Sequence, residues 1–372
     1  MSTNTAAWIE SKGAPLEVKP APYPRPGEHE IVVRNHAVAI NPYDWIIQAT
    51  GGLFTRWITY PFILGSDLAG EVVEVGPGVT RFSVGDRVLG HAVGTEKARN
   101  SAAEGAFQEY TVVLDRMAAP IPVAMAYENA AVLPLALSTA ACGLFQKDQL
   151  ALEYPSATPK PTGKSLLVWG GSTSVGSNAI QLAVAAGYDV IATASPRNFD
   201  YVKDLGADQV FDYNSPTVVA DIVAALSGRT IAGALAVATD SASVCSEIVQ
   251  SLTGSRFVSI ASPPVSFANV TPGRGISLRL ARLILRLAAS TVATQIKFRL
   301  RGIRSKMIWG ASLMDDDIST VIYEDFLPQA LAGGRYRTAP EPLVIGTGLE
   351  HVQAGLDAQK KGVSAKKIVI TL

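Results

Sequence analysis

The sequence predicts an α/β protein of two domains, a β-rich barrel-like unit and a doubly wound parallel sheet. Three observations predict it. The front third, to about residue 130, is a succession of short valine-rich segments separated by Gly-Pro, Pro-Gly and Gly-Asp turns. From about residue 131 the texture changes to small-residue helix, followed by regular alternation of strand and helix. The chain then ends in "KKIVITL", a strand free to return to the front unit.

Taken in order, "EIVVRNHAVAI" (30–40), "AGEVVEVG" (69–76), "DRVLG" (86–90) and "AFQEYTVVL" (106–114) read as strands of the first unit. "NAAVLPLALSTAACGLFQ" reads as one helix of small residues. "LLVWG" is a buried strand, and Val175, Ala179, Leu182, Ala183 and Ala186 follow at helical spacing before "YDVIATA" returns as strand. "FDYVKDLGADQVFDY" supplies a further helix and strand, and "AGALAVATD" and "RFVSIAS" two more strands. The expected domains are 1–130 together with 310–372, and 131–309 with a basic insert at 266–306.

Composition narrows the function. With 32 basic and 32 acidic residues, the 372-residue chain has no global attraction for nucleic acid or membrane. At 48% hydrophobic and 17% charged it is globular. No run reaches the roughly 18 apolar residues of a membrane span, and "MSTNTAAWIESKG" lacks the pattern of a secretory signal. A soluble, cytoplasmic protein is expected. Cys142 and Cys245 are read as reduced thiols, and four histidines (29, 36, 91 and 351) without ligand spacing predict no metal site.

"WGGSTSVGSNA" stands where a strand becomes a helix. Amides at a helix start, with the helix dipole, make an anion site for a pyrophosphate. Of the glycines in G-x-G-x-x-G the chain has Gly171 and Gly176, with Thr173 in the middle. The strand–helix–strand context makes this the dinucleotide loop of a Rossmann sheet, in which the hydroxyls of Ser172, Thr173 and Ser174 can donate to phosphate. An NAD site places an acid at the end of the second strand. Here "TASPRNFD" presents Ser195, Arg197 and Asn198 instead, a set that accommodates a 2′-phosphate and predicts NADPH.

One further stretch poses a question. In "YPFILGSDLAGEVVEVG" the polar pair Ser66-Asp67 interrupts an apolar run at a bend. Over nearly its whole length the chain resembles the medium-chain dehydrogenase/reductase superfamily. The resemblance rests on "AINPYDW", "PFILGSDLAGEVVEVGPGVTRFSVGDRV", "GAFQEYTVV", "AAVLPLALSTA" and "GADQVFDY". It implies that the first unit is a GroES-like barrel. In zinc-dependent members the Gly65-Ser66-Asp67 bend reads Gly-His-Glu, the His binding catalytic zinc. Here Ser66 stands in its place, no cysteine occurs near "NPYDW", and the cysteine-rich lobe is missing. The pair is therefore expected to be a structural bend beside the cofactor cleft.

Without zinc to hold an alkoxide, the natural acceptor is a conjugated C=C or a quinone, whose charge delocalises onto a remote oxygen that hydrogen bonds can hold. Among the zinc-free members the chain shows a closer likeness to fungal trans-acting enoyl reductases that serve polyketide synthases, which share "NPxDW", an "LSTA"-like helix start, "SPxNF" and "FDY". The resemblance implies that Ser172, Thr173, Ser174 and Val175 hold the pyrophosphate, and that Ser195, Arg197, Asn198 and Tyr213 surround the adenosine phosphate and ribose. Ile260 and Ala261 would lie near the nicotinamide, Val363 and Ser364 would close from the tail, and Tyr43, Asp44, Trp45 and Ile46 would border the ring. Leu137 to Leu144, with Cys142 among them, would line the substrate cleft. Relatives carry a lysine after "DW" or a tyrosine in the following loop, where this chain has Ile46 and Phe54. Protonation is then left to water, Tyr43, Ser138 or Thr139.

The insert holds nine Arg or Lys residues between 274 and 306, and no acid lies between Glu247 and Asp315. Leu280, Leu283, Ile284 and Leu287 form one helical stripe, with Arg279, Arg282 and Arg286 on another face. That face is expected either to be solvated, to dock an acidic acyl carrier domain or the phosphates of CoA, or to lie on a membrane. The expected function is NADPH-dependent, zinc-independent reduction of an activated C=C in an α,β-unsaturated carbonyl or enoyl thioester. The alternatives are quinone reduction and a non-catalytic NADP-binding protein, as monomer or homodimer.

Overall fold

A computed structural model describes residues 3–270 and 278–372, apart from the side chain of Arg279. Arg279 as a docking residue and part of the insert thus lie outside the described residues. Contacts divide the chain into Met1–Leu135, Phe267–Ala281 and Tyr323–Leu372 as one unit, and Ala136–Ser266 with Arg282–Ile322 as the other.

The first unit is built on a seven-stranded sheet. Its order is Glu341–Thr347, Lys366–Thr371, Glu30–Ala39, Asp67–Val75, Arg87–His91 and Ala118–Pro120, with Tyr110–Leu114 also pairing Glu30–Ala39. A three-stranded sheet of Leu16–Ala21, Asn4–Ile9 and Phe62–Ile63 joins it through a bridge between Ala6 and Gln108. Ile31, Val32, Val33, Ala37, Val38 and Ala39 are all fully buried, so the central strand is covered on both faces. The C-terminal strand does return here: Val369, Ile370 and Thr371 pair antiparallel with Ala39, Val38 and Ala37.

The boundary after residue 322, compared with the expected 310, has a visible cause. Tyr323 donates its hydroxyl to the Pro134 carbonyl at 3.1 Å, and Arg81 donates to the Tyr323 carbonyl at 3.0 Å. The segment from Phe267 joins the same unit through the edge-on packing of Phe54 and Phe267 and the hydrogen bond from Lys360 Nζ to the Val270 carbonyl at 2.5 Å.

The second unit is an all-parallel sheet. Its order is Gln209–Asp212, Asp189–Ala194, Lys164–Trp169, Thr230–Ala236, Phe257–Ile260 and Arg304–Met307, with Thr253–Gly254 on the side of Thr230–Ala236. Counted along the chain, that path runs third, second, first, fourth, fifth, sixth, the doubly wound order of the dinucleotide folds. Leu166, Leu167, Val168, Val190, Ile191 and Ala192 are fully buried because helices cover both faces. The fifth and sixth strands are connected through the long helix Leu278–Leu300, whose Phe298 sits in the core with Ile248, Val258 and Ile303.

The expected single helix around residue 134 is two. Tyr127–Ala130 ends before Pro134, which opens Pro134–Phe145 at a position where its missing N–H costs nothing. Contrary to the expectation that no segment would qualify, Tyr127–Phe145 is long and apolar enough to span a membrane. Its 18-residue window is 78% buried inside the protein, the setting of a core helix.

Candidate functional site

In the second unit the chain leaves the strand Lys164–Trp169 through Gly170 and Gly171 and enters the helix Ser174–Ala185. Gly170 takes φ +91°, a left-handed conformation that favours glycine. The turn is tied to the neighbouring strand: Gly171 N donates to the Thr193 carbonyl at 2.8 Å and Gly170 N to Thr193 Oγ1 at 3.0 Å. At Gly176 a Cβ would lie 2.2 Å from the Gly170 carbonyl oxygen, so only glycine lets the helix approach the turn so closely.

Thr173, where the middle glycine was missing, is the helix N-cap. Its Oγ1 accepts from Gly176 N at 3.0 Å and donates to the Gly170 carbonyl at 2.8 Å. The expectation that this hydroxyl serves a phosphate is therefore corrected: it is committed to the backbone. Ser172, Ser174 and Val175 are half-buried at the helix start, and the first turn carries no acid to oppose an anion. These residues fit a pyrophosphate.

At the end of the second strand Ser195 Oγ and Tyr213 OH lie 2.9 Å apart, Arg197 is exposed and Asn198 is buried. Asp200 belongs to the helix Phe199–Asp204. Ile260 ends the fifth strand, and Ala261 N donates to the Ala236 carbonyl at 2.8 Å. Both stand at the carboxyl edge of the sheet, where dinucleotides bind across the switch in strand order.

In the first unit the bend at Ser66-Asp67 is the centre of a buried ionic cluster. Asp67 Oδ2 is 2.8 Å from Lys367 Nζ, with the two side chains 0% and 3% exposed. Asn41 Nδ2 donates to the same oxygen at 2.9 Å, and Leu135 N donates to Oδ1 at 2.6 Å. Lys367 also donates to Asn41 Oδ1. Asn41 N donates to Asp44 Oδ2 at 2.7 Å, closing a capping box on the helix Pro42–Thr50, which carries Tyr43, Asp44, Trp45 and Ile46. The bend is thus structural, as expected, and more than a bend: one carboxylate joins the starts of two helices and two strands. Lys367 was not foreseen, although a lysine at a buried register of "KKIVITL" is a readable signal.

This donor set does not fit the zinc of the dehydrogenases the chain resembles. Position 66 is a buried serine, Asp67 is neutralised by an ammonium, and the nearest cap residue is Asn41. Among the described residues no cluster of three metal-ligating side chains occurs.

Two titratable groups flank the cluster. Burial pushes the Asp44 carboxyl up to about 7, with Asp67 adding to the effect. Burial pushes the His91 imidazole, opposite Asp67 in the sheet register, down to about 4. A raised acid binds its proton more tightly when folded, so its contribution falls as pH rises from about 4 to about 7. A depressed imidazole does the reverse between about 4 and the ordinary histidine value. The two oppose each other in one window. His91→Gln is therefore expected to make stability fall with rising pH between 4.5 and 6.5, by up to about 1.4 kcal/mol per pH unit. Asp44→Asn is expected to make it rise; urea unfolding across that range checks both, and unchanged slopes would refute the assignment.

Among the other expected site residues, Ser138 is fully buried and Thr139 half-buried. Leu137, Cys142 and Leu144 are also fully buried. Cys142 Sγ packs against the Gly310 carbonyl and Ser312 Oγ, and burial pushes its thiol up to about 12, leaving a neutral packing group. Tyr43 is half-buried, and burial raises its phenol above the ordinary tyrosine value. Val363 and Ser364 lie in the exposed loop between the helix Val352–Lys361 and the strand Lys366–Thr371.

Residues 27–123 match the alcohol dehydrogenase GroES-like domain, and residues 174–278 match the zinc-binding dehydrogenase domain. The chain is 51% identical to dehydrogenase pigH of Monascus ruber, over 100% of both chains. It is 38% identical to the trans-enoyl reductase himH of Aspergillus japonicus, over 99% of this chain and 97% of that one. The quinone oxidoreductase of Coxiella burnetii shares the fold at a TM-score of 0.67 and 21% identity, covering 99% of each chain.

Proposed function

Because the chain belongs to the medium-chain dehydrogenase/reductase superfamily, and is thus an oxidoreductase that takes a nicotinamide cofactor, we propose that it reduces an activated C=C with NADPH. The observation that carries this reading is the Asp67–Lys367 pair beside Ser66. At the bend where a metal-dependent relative carries its zinc-binding histidine this chain has a buried serine, and the adjoining carboxylate is taken by Lys367, which favours an acceptor whose charge delocalises. Bound NADPH supplies a hydride, taken up at Cβ of an α,β-unsaturated carbonyl or thioester while Cα takes a proton.

The protein's own groups bind and orient. The amides at the start of Ser174–Ala185, with Ser172 and Ser174, hold the pyrophosphate. Ser195, Arg197 and Tyr213 receive the 2′-phosphate, with no carboxylate among residues 195–198 to repel it. The cluster fixes the helix bearing Tyr43 and Ile46. Tyr43, Ser138, Thr139 or water is the proton source. The likeness to a trans-enoyl reductase supports an acyl thioester as substrate, carried on CoA or on an acidic carrier domain.

The test follows NADPH absorbance in metal-free protein with an enoyl thioester and, separately, a simple quinone. Turnover of the thioester alone is expected. Turnover of the quinone alone would shift the assignment to the second reading, for which apolar Ile46 and Phe54 speak. Binding without turnover of either would mean a non-catalytic NADP-binding protein. Arg197→Ala is expected to narrow the preference for NADPH over NADH at least about tenfold, near 1.4 kcal/mol; an unchanged ratio would remove the 2′-phosphate assignment.

A further inference from the structure

The long helix Leu278–Leu300 has two apolar faces where a surface helix needs one. The inward face is buried at Leu280 and Phe298 and half-buried at Leu283, Ile284 and Leu287, as the sequence stripe predicts. The outward face carries Leu278, Leu285, Val292 and Ile296, which are 69%, 70%, 57% and 55% exposed. At 100° per residue these four fall within about 40° of one line and span about 27 Å.

Cations border that line. Arg282 and Arg286 are exposed on one side of it and Arg299 on the other. Lys297 and Arg301 differ, since both pair with Glu247, at 3.3 and 3.6 Å, and fasten the end of the helix to the second unit. Because the sequence has no acid between Glu247 and Asp315, the outward face lacks an internal counter-charge along its length.

These features discriminate among occupants. A second copy would bring arginine against arginine, which opposes self-association. A lipid surface is favoured by Trp or Phe on the apolar face and by cations on the opposite face. Here the outward line has no aromatic residue, and Arg282 lies only about 60° from its centre. A helix with acidic flanks meets every feature. Leu278, Leu285 and Val292 recur every seven residues, the spacing at which one helix seats another lengthwise, and the arginines on both sides select acidic borders.

We propose that the outward face of Leu278–Leu300 docks an amphipathic helix of a partner protein, one with an apolar seam and acidic flanks. Its purpose rests on the thioester reading above, in which the partner presents the acyl chain. The docking itself does not.

The probe is a labelled synthetic 21-residue helix with leucine along one seam and glutamate on both flanks, titrated by anisotropy into the full-length protein. Saturable binding is expected, at least about tenfold weaker in Leu285→Ser/Val292→Ser and in Arg282→Glu/Arg286→Glu, and weakened by salt in the unaltered protein. Binding that is missing, or equal in all proteins and insensitive to salt, overturns the proposal. So does co-sedimentation with phosphatidylserine vesicles that Leu285→Ser/Val292→Ser abolishes, which would make lipid the occupant. Concentration-dependent dimers lost in that same variant would make it a second copy, with the same consequence. Thermal midpoints confirm that the variants fold. Turnover of a soluble enone by Leu285→Ser/Val292→Ser stays at the parent level, and its failure in every protein would count against the reductase reading while leaving the docking result standing.

Discussion

Lys367→Met is expected to destabilise the protein by about 3–5 kcal/mol, the cost of leaving a buried carboxylate without its partner. Methionine has nearly the length of lysine and suits an apolar strand, so little of that loss comes from packing. The loss arises at Asp67, which is 0% exposed. Its remaining donors, Asn41 Nδ2 at 2.9 Å and Leu135 N at 2.6 Å, cannot neutralise a full negative charge. Urea unfolding reads the effect. Adding Asp67→Asn to the Lys367→Met protein should recover part of it, because both charges then leave together. A single variant within 1 kcal/mol of the parent would show that the pair contributes nothing to holding the first unit together.

Gly176→Ala is expected to raise the NADPH dissociation constant at least about 100-fold, near 2.7 kcal/mol. The new methyl would stand 2.2 Å from the Gly170 carbonyl oxygen and 2.9 Å from Gly171 Cα. All of these are backbone atoms, so the turn itself must give way. The amides it aims at the pyrophosphate move with it, while the sheet beneath stays buried on both faces. Quenching of protein fluorescence by NADPH measures the change, with circular dichroism to confirm the fold. Affinity within threefold of the parent would mean that the dinucleotide binds elsewhere.

Much of the architecture was legible because its causes are local. Valine-rich alternation marked Glu30–Ala39 and Asp67–Val75, and the helical spacing from Val175 to Ala186 marked Ser174–Ala185. The glycine loop can be located from sequence, but the sequence suggests Thr173 as a phosphate ligand, whereas it is the cap. Both roles ask for a hydroxyl at a helix start, and only the hydrogen bonds to Gly170 and Gly176 separate them. The cluster at Asp67 was legible as a bend and no further, since Asn41, Leu135 and Lys367 come from distant parts of the chain and sequence spacing carries no trace of their meeting. The long helix was half legible. Its inner stripe and its charges were evident, whereas the second apolar line emerged only once burial showed which leucines face outward.

The Asp67 cluster also bears on the order in which the chain can fold. Its lysine lies 326 residues after Asn41, beyond every strand of the second unit. Until Lys366–Thr371 has been made, Asp67 lacks this counter-ion, and the first unit has neither that strand nor its parallel neighbour paired in place. The strands of the second unit, by contrast, all lie between Lys164 and Met307 and emerge earlier. Domains ordinarily fold from the N-terminus as they appear. Here the unit begun first gains its pairing strands only after the strands of the second unit have been made, and Asp67 stays without its counter-ion until Lys367 follows.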